Sequence, residues 1–393
     1  MRCPPCVSAA ARVSPPCLNA VPEAVTGIEQ RHGDRQVAAW LLLCAAVIFG
    51  MIVLGGVTRL TGSGLSMVEW KPLIGVVPPL SEQAWQETFD KYKQFPEYRK
   101  KNLHMTLDGF KYIFMYEYLH RVLGRLIGVL FALPMVYFVM RRRLRPGLAP
   151  KLAILFFMGG MQGLLGWYMV KSGLVSDPHV SQYRLTAHLG VAVAIYGYML
   201  WVAFDLLFAP EARPGGGRHP GRRRPGARWS LWLVGLVYLM ILSGGLVAGT
   251  RAGFAYSTWP LMGPTFIPEG LYRGSPAWLA MFEDITTIQF NHRMFAYLLV
   301  VLISSFAFAM WRRTADGRLK LGLVLLLGAL LVQVVLGIST LLLHVPVALA
   351  AAHQGGAVLL LSAAVFVSHV LVRQRRLVGR TSSALDRAAG TAV

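Results

Sequence analysis

Gly55-Gly56-Val57-Thr58-Arg59-Leu60-Thr61-Gly62-Ser63-Gly64 closes one apolar run, and Gly244-Gly245-Leu246-Val247-Ala248-Gly249-Thr250-Arg251-Ala252-Gly253 closes another. Gly55, Gly64 and Trp70 match Gly244, Gly253 and Trp259 at a constant offset of 189 residues. With one residue deleted, Pro72-Leu73-x-Gly75 then matches Pro260-Leu261-x-Gly263. Further along, His120-Arg121 matches His292-Arg293, Gln162 and Gly166 match Gln333 and Gly337, and His188 matches His353. Self-similarity sustained this far marks an internal repeat.

The repeat is built from membrane-crossing segments. Of the 393 residues, 55% are hydrophobic and 15% charged, against roughly 25% charged in soluble domains. Apolar runs of about 20 residues, the length that crosses a bilayer, lie at 38–57, 118–140, 152–171, 184–208, 229–249, 288–311, 319–343 and 346–372. A unit of four spans re-enters the membrane in its original orientation, so its duplication gives parallel repeats. The expected fold is an all-α integral membrane protein whose eight transmembrane helices form two parallel-repeat four-helix bundles.

Composition then divides the chain. Residues 1–37, rich in Pro and Ala, read as a disordered leader; 38–210 as the N-terminal bundle, with a long outward loop at 58–117; 211–228 as a basic Gly- and Pro-rich linker; 229–372 as the C-terminal bundle; and 373–393 as a tail. The first outward loop carries a charged stretch, Glu82 to Lys101, that its counterpart lacks. It reads as a partly helical cap over the first bundle.

The net charge of +21 would suggest nucleic acid in a soluble protein, but its distribution points to topology. Arg141, Arg142, Arg143, Arg145 and Lys151 share one short loop; Arg213, Arg218, Arg222, Arg223, Arg224 and Arg228 fill the linker; Arg312, Arg313, Arg318 and Lys320 fill a third. These loops lie on one side of an even-numbered bundle. The positive-inside rule makes that side cytoplasmic, together with both termini. The expected partner is the lipid bilayer, not nucleic acid. Cys3 and Cys6 have C-x-x-C spacing but no second ligand pair, and no outward loop contains cysteine, which excludes disulfide chemistry there.

His120, His188, His292 and His353 each open a span that runs from outside to inside, so all four lie near the outer surface. A histidine inside a membrane helix is costly without a partner, and two per bundle suit the two axial positions of a heme iron. Catalytic zinc wants about three protein ligands, and simple hydrogen bonding between helices explains one such histidine better than four. His179 and His344 lie nearby without repeat equivalents, while His32, His104, His219 and His369 fall in tails, loops or the inner surface. Glu117 stands one helical turn before His120, and its equivalent is Gln289. An ionisable group in one half and a neutral amide in the other confines proton chemistry to the first. Arg59, Arg121, Arg125, Arg184, Arg251 and Arg293 gather near the outer ends of spans, where guanidinium groups suit heme propionates.

With Gly55-Gly56-x-Thr58-Arg59-Leu60-Thr61-Gly62-Ser63-Gly64-Leu65-Ser66, Glu117-Tyr118-Leu119-His120-Arg121, Ala187-His188, Asn291-His292-Arg293 and Ala352-His353-Gln354-Gly355, the chain resembles the heme A synthase family over roughly residues 38 to 372. The resemblance implies an oxidoreductase of the inner membrane that oxidises the C8 methyl group of heme O, through an alcohol and a hydrated aldehyde, to the formyl group of heme A for cytochrome oxidase. It implies that His120 and His188 ligate the substrate heme with Glu117 assisting catalysis, and that His292 and His353 hold heme b. Arg59 and Arg251 are cofactor-binding candidates. Heme O synthase, an electron donor and further copies of the chain are implied partners, with the heme sites toward the periplasm. Some members carry a cysteine pair after the first span. Here that region reads Leu65-Ser66-Met67-Val68-Glu69-Trp70, like the cysteine-free branch of proteobacteria and mitochondria. From the residues alone, a di-heme b-type electron carrier that oxidises quinol stays open, as does a transporter built on parallel repeats.

Overall fold

The computed structural model describes residues 20–69, 77–174, 178, 180–208, 226–274 and 276–390, with side chains between residues 32 and 373. Cys3, Cys6, Cys17, the stretch from Trp70 to Gly75, His179, His219 and most of the linker lie outside the described residues. The chain runs through α1 (Ala20–Leu60), α2 (Glu82–Lys93), α3 (Pro96–Lys101), α4 (Leu107–Met140), α5 (Ala149–Gly173), α6 (Gln182–Leu207), α7 (Ala227–Thr250), α8 (Ala280–Glu283), α9 (Ile285–Trp311), α10 (Gly317–Leu342) and α11 (Val347–Gly390). Eight of these helices, α1, α4 to α7 and α9 to α11, are long and apolar enough to cross a membrane. There is no strand among the described residues.

Several helices outrun their apolar segments, because a helix started in lipid continues into water where polar residues permit it. α1 begins at Ala20, inside the segment expected as leader, and its Asp34 pairs with Arg145 of the α4–α5 turn at 3.6 Å. α4 begins at Leu107, behind a Thr106 cap whose hydroxyl accepts the Gly109 N–H at 3.3 Å. The first outward loop is correspondingly shorter than 58–117. α11 continues to Gly390, through the segment expected as a tail. Asp284 and Asp316 cap α9 and α10 in the same way as Thr106 caps α4.

Within the first half, α1 packs on α4 and α6, and α5 on α4 and α6. Within the second, α7 packs on α9 and α11, and α10 on α9 and α11. α6 meets α7 and α11, and α1 meets α11, along a seam between the halves. Val193, Met199 and Leu200 of α6 share one buried apolar cluster with Val358, Leu361 and Val365 of α11. At the end of this seam where α6 finishes, Asp205 is gripped from both halves. Lys151 reaches it at 3.0 Å, His369 Nε2 at 3.1 Å and Arg373 at 3.3 Å.

Above the first half, α2 and α3 form the cap. Phe89 and Tyr92 stack on Phe110 near the start of α4, and Trp85 meets Phe114 edge-on at 5.1 Å. Lys101 of α3 donates to the carbonyl of Pro178, just before α6. The cap is thereby tied to two helices that carry histidines.

Candidate functional site

All four histidines are half-buried, and each rests on a glycine of a neighbouring helix. A Cβ built on Gly55 of α1 would stand 3.0 Å from His120 Nε2, and one on Gly166 of α5 would stand 2.9 Å from His188 Cε1. In the second half, a Cβ on Gly244 of α7 would lie 3.5 Å from His292 Cε1, and one on Gly337 of α10 would lie 2.8 Å from His353 Cε1. Real side chains essentially never approach below 3.0 Å, so Gly166 and Gly337 leave room that any other residue would take. The four glycines are themselves repeat equivalents. The repeat register brings out one device used twice, in which an imidazole is seated in the space a missing side chain leaves.

His120 and His188 lie within electrostatic reach of each other, as do His292 and His353. Among the described residues no cluster of three or more His, Cys, Asp or Glu side chains joins either pair. His188 Nδ1 and His353 Nδ1 are buried without a hydrogen-bond partner among the described residues. Buried polar atoms in folded proteins normally find partners, and these two ring nitrogens do not. Two imidazoles per half and nothing more is the donor set of an axially ligated heme. Gln162 Nε2 donates to the His188 carbonyl at 3.0 Å and lies 3.4 Å from His188 Nε2.

The residues beside His120 and His292 hold the loops that follow α1 and α7. Glu117, 3% exposed, accepts from Ser66 Oγ and from the Met67 N–H, both at 2.7 Å, and from Arg121 at 2.5 Å. Arg121 also donates to the Met67 carbonyl at 2.9 Å. In the second half, Gln289 donates to the Tyr256 carbonyl at 3.0 Å, and Arg293 donates to the carbonyls of Tyr256, Thr258 and Leu261 at 2.9, 2.8 and 3.1 Å. The two loops are clamped alike, one with a carboxylate and one with an amide.

Arg59 donates to the carbonyls of Gly249 at 3.1 Å and Ala248 at 3.4 Å, capping α7 from across the seam. Arg251 ends α7 in the left-handed region at φ 58° and is exposed, and its charge repels that of Arg59. Two cations within electrostatic reach of each other at the C-terminal end of α7 form a place suited to carboxylate groups. Arg184 lies over the Tyr168 ring, 5.0 Å from its centroid. His32, His104 and His344 are exposed. His369 differs from them: it is 1% exposed and bonded to Asp205. An acidic residue near the end of an apolar run is the sequence signal that marks that cluster.

Ser243 is the other residue that sequence reasoning passes over. Its Oγ lies 3.0 Å from His292 Nδ1.

The family model described as COX15-CtaA, cytochrome oxidase assembly protein, matches residues 38–365. The chain is 52% identical to the heme A synthase of Nitrosospira multiformis over 87% of its own length and 95% of that protein. It is 48% identical to the heme A synthase of Nitrosomonas eutropha, over 90% and 98% respectively. With the heme A synthase of Parvibaculum lavamentivorans it shares 44% identity, over 91% of this chain and all of that one. Paired imidazoles, their glycine seats and a match spanning the whole membrane region together place this chain in the COX15-CtaA family of cytochrome oxidase assembly proteins.

Proposed function

We propose that this protein is a heme A synthase: a multi-pass inner-membrane oxidoreductase that converts the C8 methyl group of heme O to the formyl group of heme A. The observation that carries this reading is the doubled histidine pair on its glycine seats, with a carboxylate in one half only. His120 and His188 would hold the iron of the substrate heme, and His120 stands on the helix that also carries Glu117. His292 and His353 hold heme b, which supplies one-electron redox chemistry when bound. Gly55, Gly166, Gly244 and Gly337 leave the room that lets each imidazole approach from its helix.

Glu117 is the catalytic carboxylate. Ser66, Met67 and Arg121 fix its position, and its ability to accept a proton distinguishes it from Gln289. Arg59 and Arg251 would supply positive charge to the carboxylates of a bound heme, for which guanidinium groups are suited. Both heme sites face the periplasm and the termini lie in the cytoplasm, a reading that the basic loops support through the positive-inside rule. Contacts between Asp34 and Arg145, and between Asp205 and Lys151 or Arg373, support this topology by gathering the basic loops at the opposite end. Heme O synthase as supplier, an electron donor and self-association complete the proposed partnerships.

The test is heme extraction and chromatography from cells with and without this chain. Cells lacking it accumulate heme O and lose heme A, and the purified protein shows a low-spin b-type spectrum. Normal heme A in a clean deletion overturns the reading.

A further inference from the structure

Ser243 breaks the repeat at the place where the repeat matters most. It precedes Gly244, the seat of His292, and the matching residue before Gly55 is Leu54, which has no polar side-chain atom. Its Oγ lies 3.0 Å from His292 Nδ1, whereas the Nδ1 atoms of His188 and His353 are buried without a partner among the described residues. Among these three imidazoles, only that of His292 meets a hydroxyl placed on the far side of its ring.

A histidine that ligates iron through Nε2 must carry its remaining proton on Nδ1, and what accepts that proton fixes the tautomer and the ring orientation. Partial withdrawal of the proton also makes the ring a stronger donor. A stronger axial donor favours the ferric over the ferrous ion and so lowers the reduction potential.

We propose that Ser243 is a positioning residue for His292. Its Oγ accepts the Nδ1–H, presents Nε2 to the iron, and holds the second-half heme at a lower potential than it would have without the hydroxyl. Leu54 leaves His120 without this device, so the hydroxyl biases electron flow from the second half toward the first. This inference rests on the assignment of heme b to His292 and His353.

The experiment is a spectroscopic redox titration of the purified full-length protein. In Ser243→Ala the expected result is retained heme with a midpoint potential shifted to more positive values, and Ser243→Thr returns it toward the wild-type value. Retained heme with an unchanged potential in Ser243→Ala overturns the proposal. If Ser243→Ala loses its heme, the near-isosteric pair Ser243→Thr and Ser243→Val decides. Heme retained by Thr and lost by Val supports an accepting hydroxyl, and equal behaviour of the two overturns it. His292→Ala tests the underlying assignment separately: heme b retained in full, as read by extraction and chromatography of the purified variant, defeats the heme b reading, whatever Ser243 does.

Discussion

In the first half of the protein the loop after α1 is clamped by Glu117 and Arg121, and in the second the loop after α7 is clamped by Gln289 and Arg293. Both clamps stand on the helix that carries the first histidine of the pair, and both histidines sit on the glycine that begins the matched stretch. What the halves share is therefore the machinery of holding: seats, clamps and helix order. What they do not share is a carboxylate at 117, a cap made from α2 and α3, and a hydroxyl at 243. The two halves hold their histidines alike and differ in the groups around them, which allows each half to be altered with the other as its reference.

The largest expected effect comes from filling a glycine seat. In Gly337→Ala the new methyl would lie 2.8 Å from His353 Cε1, which forces the ring or its helix to move, while in Gly244→Ala it would lie 3.5 Å from His292 Cε1, an ordinary contact. Gly337→Ala is expected to strip heme from the second half and Gly244→Ala to keep it, as read by heme content per purified protein. Gly166→Ala, at 2.9 Å from His188 Cε1, is expected to do the same to the first half alone. Full heme occupancy in Gly337→Ala removes the glycine seats from the account of binding.

Next in size is the exchange of the clamps. Glu117→Gln makes the first half resemble the second, preserving an acceptor for Ser66 and Met67 while abolishing proton transfer. Conversion of heme O is expected to fall by about 10²–10⁴-fold, the usual contribution of a general acid or base, with heme binding retained. The ratio of heme A to heme O in cells carrying the variant measures this. Gln289→Glu, the reverse exchange, is expected to leave the ratio unchanged; a Glu117→Gln protein of normal activity reduces the carboxylate to a loop clamp.

Much of this architecture can be read from the residues. The eight spans follow from uninterrupted apolar runs, and the histidine pairs follow from the repeat register. The glycine seats are visible as matched positions but not as seats, because whether a missing Cβ faces an imidazole depends on the rotation of two helices about their axes. The ends of α1 and α4 are hidden for a different reason: apolar content marks where a helix enters lipid, not where it starts. Ser243 is concealed by the very argument that finds the histidines, since it has no match at Leu54. The Asp205 cluster joins residues 164 positions apart, Asp205 and His369, and only the packing of α6 on α11 brings them together.

The smallest expected effect concerns the cap, the part of the first half without a twin. Glu97 is 6% exposed and accepts from the Tyr92 hydroxyl at 3.2 Å, while Asn102 donates to the same Tyr92 oxygen at 2.7 Å. Burial pushes the Glu97 carboxyl up from 4.5 to about 7; the Tyr92 hydrogen bond and Lys101 oppose this, and the negative charge of Glu117 adds to it. The folded cap thus keeps a proton that the open cap releases between about pH 4.5 and 7. Its stability is greatest below that window and falls as pH rises through it, by at most about 1.4 kcal/mol per pH unit, before levelling off. Glu97→Gln keeps an acceptor for Tyr92 and removes the titration, so its profile is expected to be flat and its cap better protected than wild type at pH 8. Hydrogen exchange of the amides from Tyr92 to Asn102 reads this directly, with the outward loop of the second half, which has no counterpart of Glu97, as internal reference. Parallel profiles for wild type and Glu97→Gln show that the cap opens without exposing Glu97, and that the asymmetry between the halves at this level is one of shape rather than of charge.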